Sequence, residues 1–271
     1  MNSAGSSPGA DALVRKLDAL SPLTDQDAAT LERVVLAHAR HARPREDLIC
    51  EGDRPGGLRM ILSGWACRYK MLEDGRRQIL AFLLPGDSCD FNMRYVPRMD
   101  HSVAALTTVA YAELAPNVVD DLISSSPSVA RALLCETISD ASIQREWTVN
   151  LGQRVALERL AHLFCEIFVR LRLVGLASGN TCVFPPTQAD LAAAVGLSDV
   201  HVNRTLQELR RAGLVELSTK SLTIPSLSAL QAAALFEPGY LHLRHDRTES
   251  EASVSPHLLA EASPRQPESR A

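Results

Sequence analysis

TQADLAAAVGLSDVHVNRTL, residues 187–206, reads as two short helices joined by a tight turn. Thr187 carries the hydroxyl of an N-cap, and Asp190 supplies the answering carboxylate of a capping box. Leu191, Ala192 and Val195 then repeat at helical spacing and give the first helix one apolar face. Gly196 offers the positive φ that ends it, Leu197 fills the space between the helices, and Ser198 caps the second. In that second helix Val202, Leu206 and Leu209 turn inward, which leaves Asp199, Val200, His201, Asn203 and Arg204 around the outside.

A helix that presents His, Asn and Arg just after a glycine-centred turn fits the recognition helix of a helix-turn-helix. Arginine and asparagine match the major-groove edges of guanine and adenine. An ordinary αα-hairpin with a solvated polar face has the same spacing. The flanks separate the two readings. Phe184-Pro185-Pro186 stops the chain ahead of Thr187, Gly213 ends the second helix, and VEL (215–217) with LTI (222–224) makes a hairpin placed as a wing.

Composition limits the rest. The 271 residues suffice for about two domains, and 46% hydrophobic content suits core-forming protein. A formal net charge of -4 excludes a polybasic binder, so affinity for nucleic acid has to come from a local face. The first residues hold no apolar core of a secretory signal, and no apolar run is long enough to span a bilayer. Six scattered cysteines without a CxxC pair fit neither a disulfide framework nor a zinc site. The expectation is a cytoplasmic protein with reduced thiols and no membrane contact.

Along the chain, residues 1–10 are rich in Ser, Gly and Ala and are expected to be disordered. Residues 11–115 begin with a helical pattern to about residue 40 and continue as short strands. LIC (48–50), LRMILSG (58–64), WACRYKML (65–72), RRQILAFLL (76–84) and VAALTTVAYAEL (103–114) are the candidates. Alternating Leu58, Met60 and Leu62 suggest a half-buried strand, and Asp74-Gly75 suggests a type I′ hairpin. Such even spacing points to an antiparallel β-roll or jelly roll. Residues 116–150 read as one central helix whose seam is Ala130, Leu134, Ile138 and Ala141. That seam packs either on the β-domain or on a second copy of itself, and a homodimer is the expected use. A further helix over 153–172 turns Leu157, Leu160, Ala161 and Phe164 inward. Residues 151–240 form the winged helix-turn-helix unit, and 241–271 are polar, aperiodic and expected to be disordered. The fold class is therefore α+β: an N-terminal antiparallel β-roll, a long central dimerisation helix and a C-terminal winged helix-turn-helix.

In this order the elements resemble the Crp/Fnr family of bacterial transcription regulators. EGD (51–53), LSGW (62–65), DGRRQIL (74–80) and LLPGD (83–87) look like turns of its cyclic-nucleotide-binding-like β-roll, and residues 187–217 resemble its helix-turn-helix. The resemblance covers about residues 15–240. It implies sequence-specific binding of a palindrome in double-stranded DNA by a homodimer, RNA polymerase as a partner, and a signal received in the β-roll. Two departures bear on that signal. The nucleotide-responsive pattern has Gly-Glu and later Arg-Ser or Arg-Thr after the PGD turn, whereas residues 85–106 read PGDSCDFNMRYVPRMDHSVAAL. Asp87 and His101-Ser102 stand in that region, and neutral His is a poor substitute for a guanidinium on a phosphate. Cyclic AMP is therefore not an expected ligand. Cys50, the first cysteine, is alone, and an iron–sulfur cluster of the N-terminal type needs about four thiolates, so none is expected. The signal is unknown.

Arg204 aligns with the family's base-contacting arginine and is expected to read a guanine, with a phosphate contact as the alternative. Val200, one turn earlier on the same face, can touch a thymine methyl. His201 and Asn203 are further base-readout candidates that can equally bond phosphate. Thr187, Gln188 and Ser198 at helix N-termini are phosphate candidates. Lys220 joins them from the wing, and Arg210 and Arg211 are either backbone contacts or solvated. In the β-roll Arg68, Tyr69, Cys89 and His101 are candidates for a sensor pocket, against packed thiols and a surface histidine.

A different class of function remains open: a small-molecule-binding β-roll whose helix-turn-helix contacts protein. An enzyme on a cupin-like barrel would need clustered metal ligands. His101 is the only histidine between residues 47 and 114, and no nucleophile–base arrangement is visible, so no enzymatic activity is expected.

Overall fold

Two leading helices pack on the β-roll and precede its first strand in the chain. The computed structural model describes residues 8–89, 91 and 95–244. Helix α1 (Pro8–Leu20) buries Leu13, Leu17 and Leu20, and α2 (Asp25–Ala37) buries Leu31 and Val35. Thr24 caps α2 by accepting from the Asp27 N–H at 3.1 Å. Helix α1 begins at Pro8, inside the stretch expected to be disordered, because Ala10 is fully buried against the β-roll's outer face. Residues 1–7, also expected to be disordered, lie outside the described residues.

Seven strands follow: β1 (Ala39–Ala42), β2 (Asp47–Ile49), β3 (Leu58–Ser63), β4 (Ala66–Met71), β5 (Arg77–Leu83), β6 (Ser102–Ala105) and β7 (Val109–Leu114). They pair antiparallel in two sheets, ordered β1-β7-β3 and β2-β6-β4-β5. Ile49, Ile61, Ala81, Leu83, Val103 and Val109 fill the space between them, as an antiparallel β-roll requires. Three local expectations are corrected. Strand β3 is buried on both faces: Ile61 points into the roll while Leu58, Met60 and Leu62 pack under α1 and the central helices. The 103–114 run is two strands, broken at residues 106–108. The hairpin at Asp74-Gly75 is a three-residue loop, not type I′, because only Gly75 has positive φ, at 83°. Gly75 N–H donates to the Leu72 carbonyl and Leu72 N–H to that of Arg76, the pattern of a turn followed by a glycine bulge.

The central helical region is also divided. Helix α3 (Pro116–Ser125) ends where Ser126 turns extended and caps α4 (Pro127–Gln153), since Pro127 cannot continue the preceding helix. Helix α4 buries Val129, Ala132, Leu133, Ser139, Ile143 and Trp147. The seam expected to be its packing face lies outside: Leu134 is 58% exposed, Ile138 48%, and Ala141 is exposed as well.

Helix α5 (Ala156–Leu173) is buried along most of its length, including Leu160, Ala161 and Phe164. Strands β8 (Ala177–Ser178) and β9 (Thr181–Val183) lead to α6 (Gln188–Val195) and α7 (Asp199–Arg211). The wing strands β10 (Glu216–Ser218) and β11 (Ser221–Thr223) extend β9 and β8 into one four-stranded sheet, ordered β10-β11-β9-β8. The chain closes with α8 (Leu227–Ala234) and a 3-10 turn, Pro238–Leu241. Leu241 is buried and His242 Nε2 lies 2.9 Å from the Ser142 hydroxyl, so the ordered chain runs past residue 240. Residues 245–271, also expected to be disordered, lie outside the described residues.

The β-roll and the C-terminal half share one core. Trp65 meets Phe82 and Phe184 edge-on, Phe82 meets Trp147, and Phe184 meets Phe164, with ring centroids 5.5–6.2 Å apart. This aromatic chain joins the β-roll, α4, α5 and the segment that leads into α6.

Candidate nucleic-acid interface

Local capping sets the two short helices. Thr187 accepts from the Asp190 N–H at 3.1 Å, and Asp190 accepts from the Thr187 N–H at 2.9 Å. Both members of the capping box are made. Gly196 ends α6 in the left-handed region (φ 64°, ψ 38°), where a side chain would be strained. Leu197 is half-buried against the core, and Ser198 caps α7 by accepting from the His201 N–H. Val202, Leu206 and Leu209 are buried, together with Thr205, whose hydroxyl donates to the His201 carbonyl.

That packing fixes what α7 shows to solvent. Val200 is 81% exposed, and the Arg204 side chain is also 81% exposed. His201 and Asn203 are exposed beside them. Arg204 Nε lies 3.3 Å from Glu208 one turn on, an exposed i,i+4 pair of small energetic weight. Asn203 Nδ2 donates to Gln188 Oε1 at 3.2 Å, so a base-readout candidate and a phosphate candidate meet across the two helices. Thr187, Gln188 and Ser198 are exposed at the helix starts. Lys220 is exposed at the wing tip with φ 59°, and its carbonyl accepts from the Phe184 N–H. Arg210 is engaged differently: its Nη2 donates to the Leu217 carbonyl at 2.7 Å and ties α7 to the wing.

Of the four sensor-pocket candidates, Arg68 and Cys89 meet, while Tyr69 and His101 engage other partners among the described residues. Arg68 is buried and donates to the Cys89 carbonyl at 2.8 Å and to Asp140 of α4 at 3.1 Å. Tyr69 OH donates to Asp47 on the other side of the strand, with Arg77 lying 4.2 Å over its ring. His101 is buried and its Nδ1 is 2.7 Å from Asp100. Cys89 lies in the interior of the roll.

Sequence reading missed a buried ionic cluster that holds the two halves together. Asp87, in the PGD turn, takes Lys16 Nζ of α1 at 2.7 Å, Arg170 of α5, and the Leu84 N–H. Lys16 also reaches Glu136 of α4 at 2.9 Å, and Glu136 accepts from the Ser88 hydroxyl at 2.8 Å. Arg170 pairs with Glu166 at 3.0 Å, and Glu166 accepts further from Tyr240 and Trp147. Burial opposes the Asp87 carboxylate, but Arg170, Lys16 and the Leu84 N–H outweigh it and hold its pKa below the ordinary value. For Glu166 burial wins over the same kinds of partner and the pKa is raised. Nearby, Gln78 of β5 donates to the Ala194 carbonyl at 3.3 Å, and Arg77 lies 3.7 Å from Asp190. The β-roll's edge strand therefore rests directly on α6. The signal available in the sequence was the pair of charges, Glu166 and Arg170, set among the apolar residues of α5.

A capped, exposed recognition helix beside a wing, packed against a β-roll, defines a two-module DNA-binding regulator. Residues 39–126 match the family model of the cyclic nucleotide-binding domain, and residues 158–233 that of the Crp-like helix-turn-helix domain. The nitrogen fixation regulation protein FixK of Bradyrhizobium diazoefficiens is 30% identical over 210 residues, 77% of this chain and 87% of that protein. The transcriptional activator protein FnrL of Cereibacter sphaeroides is 28% identical over 198 residues, 72% of this chain and 78% of that protein. The solved structure of FixK2 from Bradyrhizobium japonicum shares the fold with a TM-score of 0.64 at 24% identity, covering 72% of this chain and 96% of that one. The chain belongs to the Crp/Fnr family and is a DNA-binding transcription regulator. Among the described residues no helix is long and apolar enough to cross a membrane.

Proposed function

We propose that this regulator acts in the cytoplasm as a homodimer, places α7 of each protomer in successive major grooves of a palindromic operator, and works with RNA polymerase. The observation that carries this is the division of α7. Its inner residues are buried, while Val200 and Arg204 stand one turn apart and open to solvent. Arg204 reads a guanine through its free guanidinium edge, and Val200 meets a thymine methyl. His201 and Asn203 complete the base contacts. Thr187, Gln188 and Ser198 at the helix starts and Lys220 on the wing hold phosphates.

Dimerisation is supported by the stripe Leu134, Ile138 and Ala141, exposed on a helix whose opposite face is buried. Pairing that stripe with its copy sets two recognition helices about one helical turn apart. The signal is neither cyclic AMP nor oxygen sensed through an N-terminal cluster. Where a phosphate would need a guanidinium, His101 is buried and already held by the Asp100 carboxylate, whose charge repels an anion.

The test is recovery of bound fragments from sheared genomic DNA by the purified protein at two salt concentrations. A shared palindrome whose occupancy falls steeply with salt is the expected outcome. Fragments without a common motif would favour a β-roll binding module whose helix-turn-helix contacts protein.

A further inference from the structure

Between α1 and the C-terminal end of α5 lies a cleft of about 630 Å³, within the size range of small-molecule sites. It is bounded by both halves of the molecule, because α1 packs on the β-roll while α5 carries the helix-turn-helix. Three arginines line it, Arg15, Arg172 and Arg244, against the single lining carboxylate of Asp18. Val169, Leu173 and Leu243 give it an apolar wall.

The arginines differ in how far they are already occupied. Arg15 pairs through Nε with Asp11 at 2.9 Å and lies against Gly175, where an added Cβ would sit 3.3 Å from its Nη1. Arg244 donates to the Asp18 carbonyl at 3.3 Å. Arg172 has no ion-pair partner among the described residues, and its guanidinium carbon stands 6.0 Å over the Phe168 ring. With Arg15 paired to Asp11 and Arg244 4.0 Å from the Asp18 carboxylate, Arg172 leaves one uncompensated positive charge beside apolar surface. A planar anion with an apolar body complements both features.

We propose that this cleft binds a small amphipathic carboxylate whose head group pairs with Arg172 and Arg15 and whose body lies on Val169, Leu173 and Leu243. Such a ligand bridges two elements that already meet at Asp87, through Lys16 beside Arg15 and Arg170 two residues before Arg172. Binding therefore favours the arrangement in which α1 and α5 are drawn together, and raises thermal stability by mass action.

Calorimetric titration of the purified full chain with octanoate, 1-naphthoate and 1-octanol tests this. At least one carboxylate should bind saturably at one site per chain, the alcohol should not compete, and bound carboxylate should raise the melting temperature. Arg172→Gln should weaken carboxylate binding at least about tenfold, since a hydrogen bond to a charged group is lost. Arg172 is exposed, so the variant should melt with the unliganded parent. Arg244→Gln should weaken it less. Equal binding of alcohol and carboxylate, unchanged affinity in Arg172→Gln, or no binding of either carboxylate would overturn the proposal. None of these readouts involves DNA, so they stand or fall apart from operator recognition.

Discussion

At the junction of the two halves, Arg170 is enclosed by Asp87, Glu166 and the Phe82 carbonyl, with only 13% of its side chain accessible. On α7, Arg204 has the same chemistry and a carboxylate one turn away, yet four-fifths of it faces solvent. The difference lies in what removal leaves behind. Taking away Arg170 leaves buried Glu166 without its cation and buried Asp87 with Lys16 alone, whereas taking away Arg204 leaves Glu208 in water. Exposed pairs contribute about 0–1 kcal/mol, but breaking a buried one costs about 3–5 kcal/mol. Burial assigns one arginine to holding the fold and frees the other for a ligand.

Arg170→Ala should show the largest effect, lowering unfolding free energy by about 3–5 kcal/mol in urea melts. Stability equal to the parent would break the contrast. Replacing Leu134 and Ile138 with Asp should follow, because each charge would be buried unpaired at the interface. Sedimentation equilibrium should show at least about a hundredfold weaker dimer, a loss of roughly 3 kcal/mol or more. A dimer of unchanged strength would place the interface elsewhere.

Acid sensitivity comes next. His162 is buried between Phe236 and Tyr240, and burial together with nearby Arg154 holds its pKa down to about 3. The unfolded chain takes up this proton near pH 6.5 and the folded chain does not. Stability is therefore intact above about pH 6.5 and is lost as pH falls toward 3, by up to about 1.4 kcal/mol per unit. Calorimetric melts from pH 7 to 4.5 should show that slope, and His162→Leu should flatten it. The smallest effect is expected of Lys220→Ala: a salt slope of DNA binding shallower by about one unit, uniform across sequences. A sequence-dependent loss would give Lys220 a role in base readout.

The parts of the molecule legible in the sequence were those built from near neighbours. The capping box of Thr187 and Asp190, the left-handed Gly196 and the Ser198 cap are all made within a few residues, and they appear as read. Strand β1 was unreadable because Ala39–Ala42, ARHA, has no apolar alternation and is a strand only through its pairing with β7. The wing's sheet gained β8 and β9 for the same reason. The junction cluster was out of reach: its partners Lys16, Asp87, Glu136 and Arg170 come from four separate elements, 71 to 120 residues apart in the pairs they form. Tyr69 parts from Arg68 because alternate residues of β4 face opposite ways: Arg68 runs inward to Asp140 and Cys89, and Tyr69 outward to Asp47. The seam on α4 was found by its period, but period alone did not show that the protomer leaves it open.

The proposed base readout by α7 rests on Arg204. A double-mutant cycle tests it, with parent and Arg204→Ala each titrated onto the selected half-site and onto the same site with its proposed guanine replaced. If Arg204 reads the guanine, Arg204→Ala costs about 1–3 kcal/mol on the guanine site and nothing further on the replaced one. An equal loss on both sites, with the salt slope shallower by about one unit, would make Arg204 a phosphate contact and contradict direct readout.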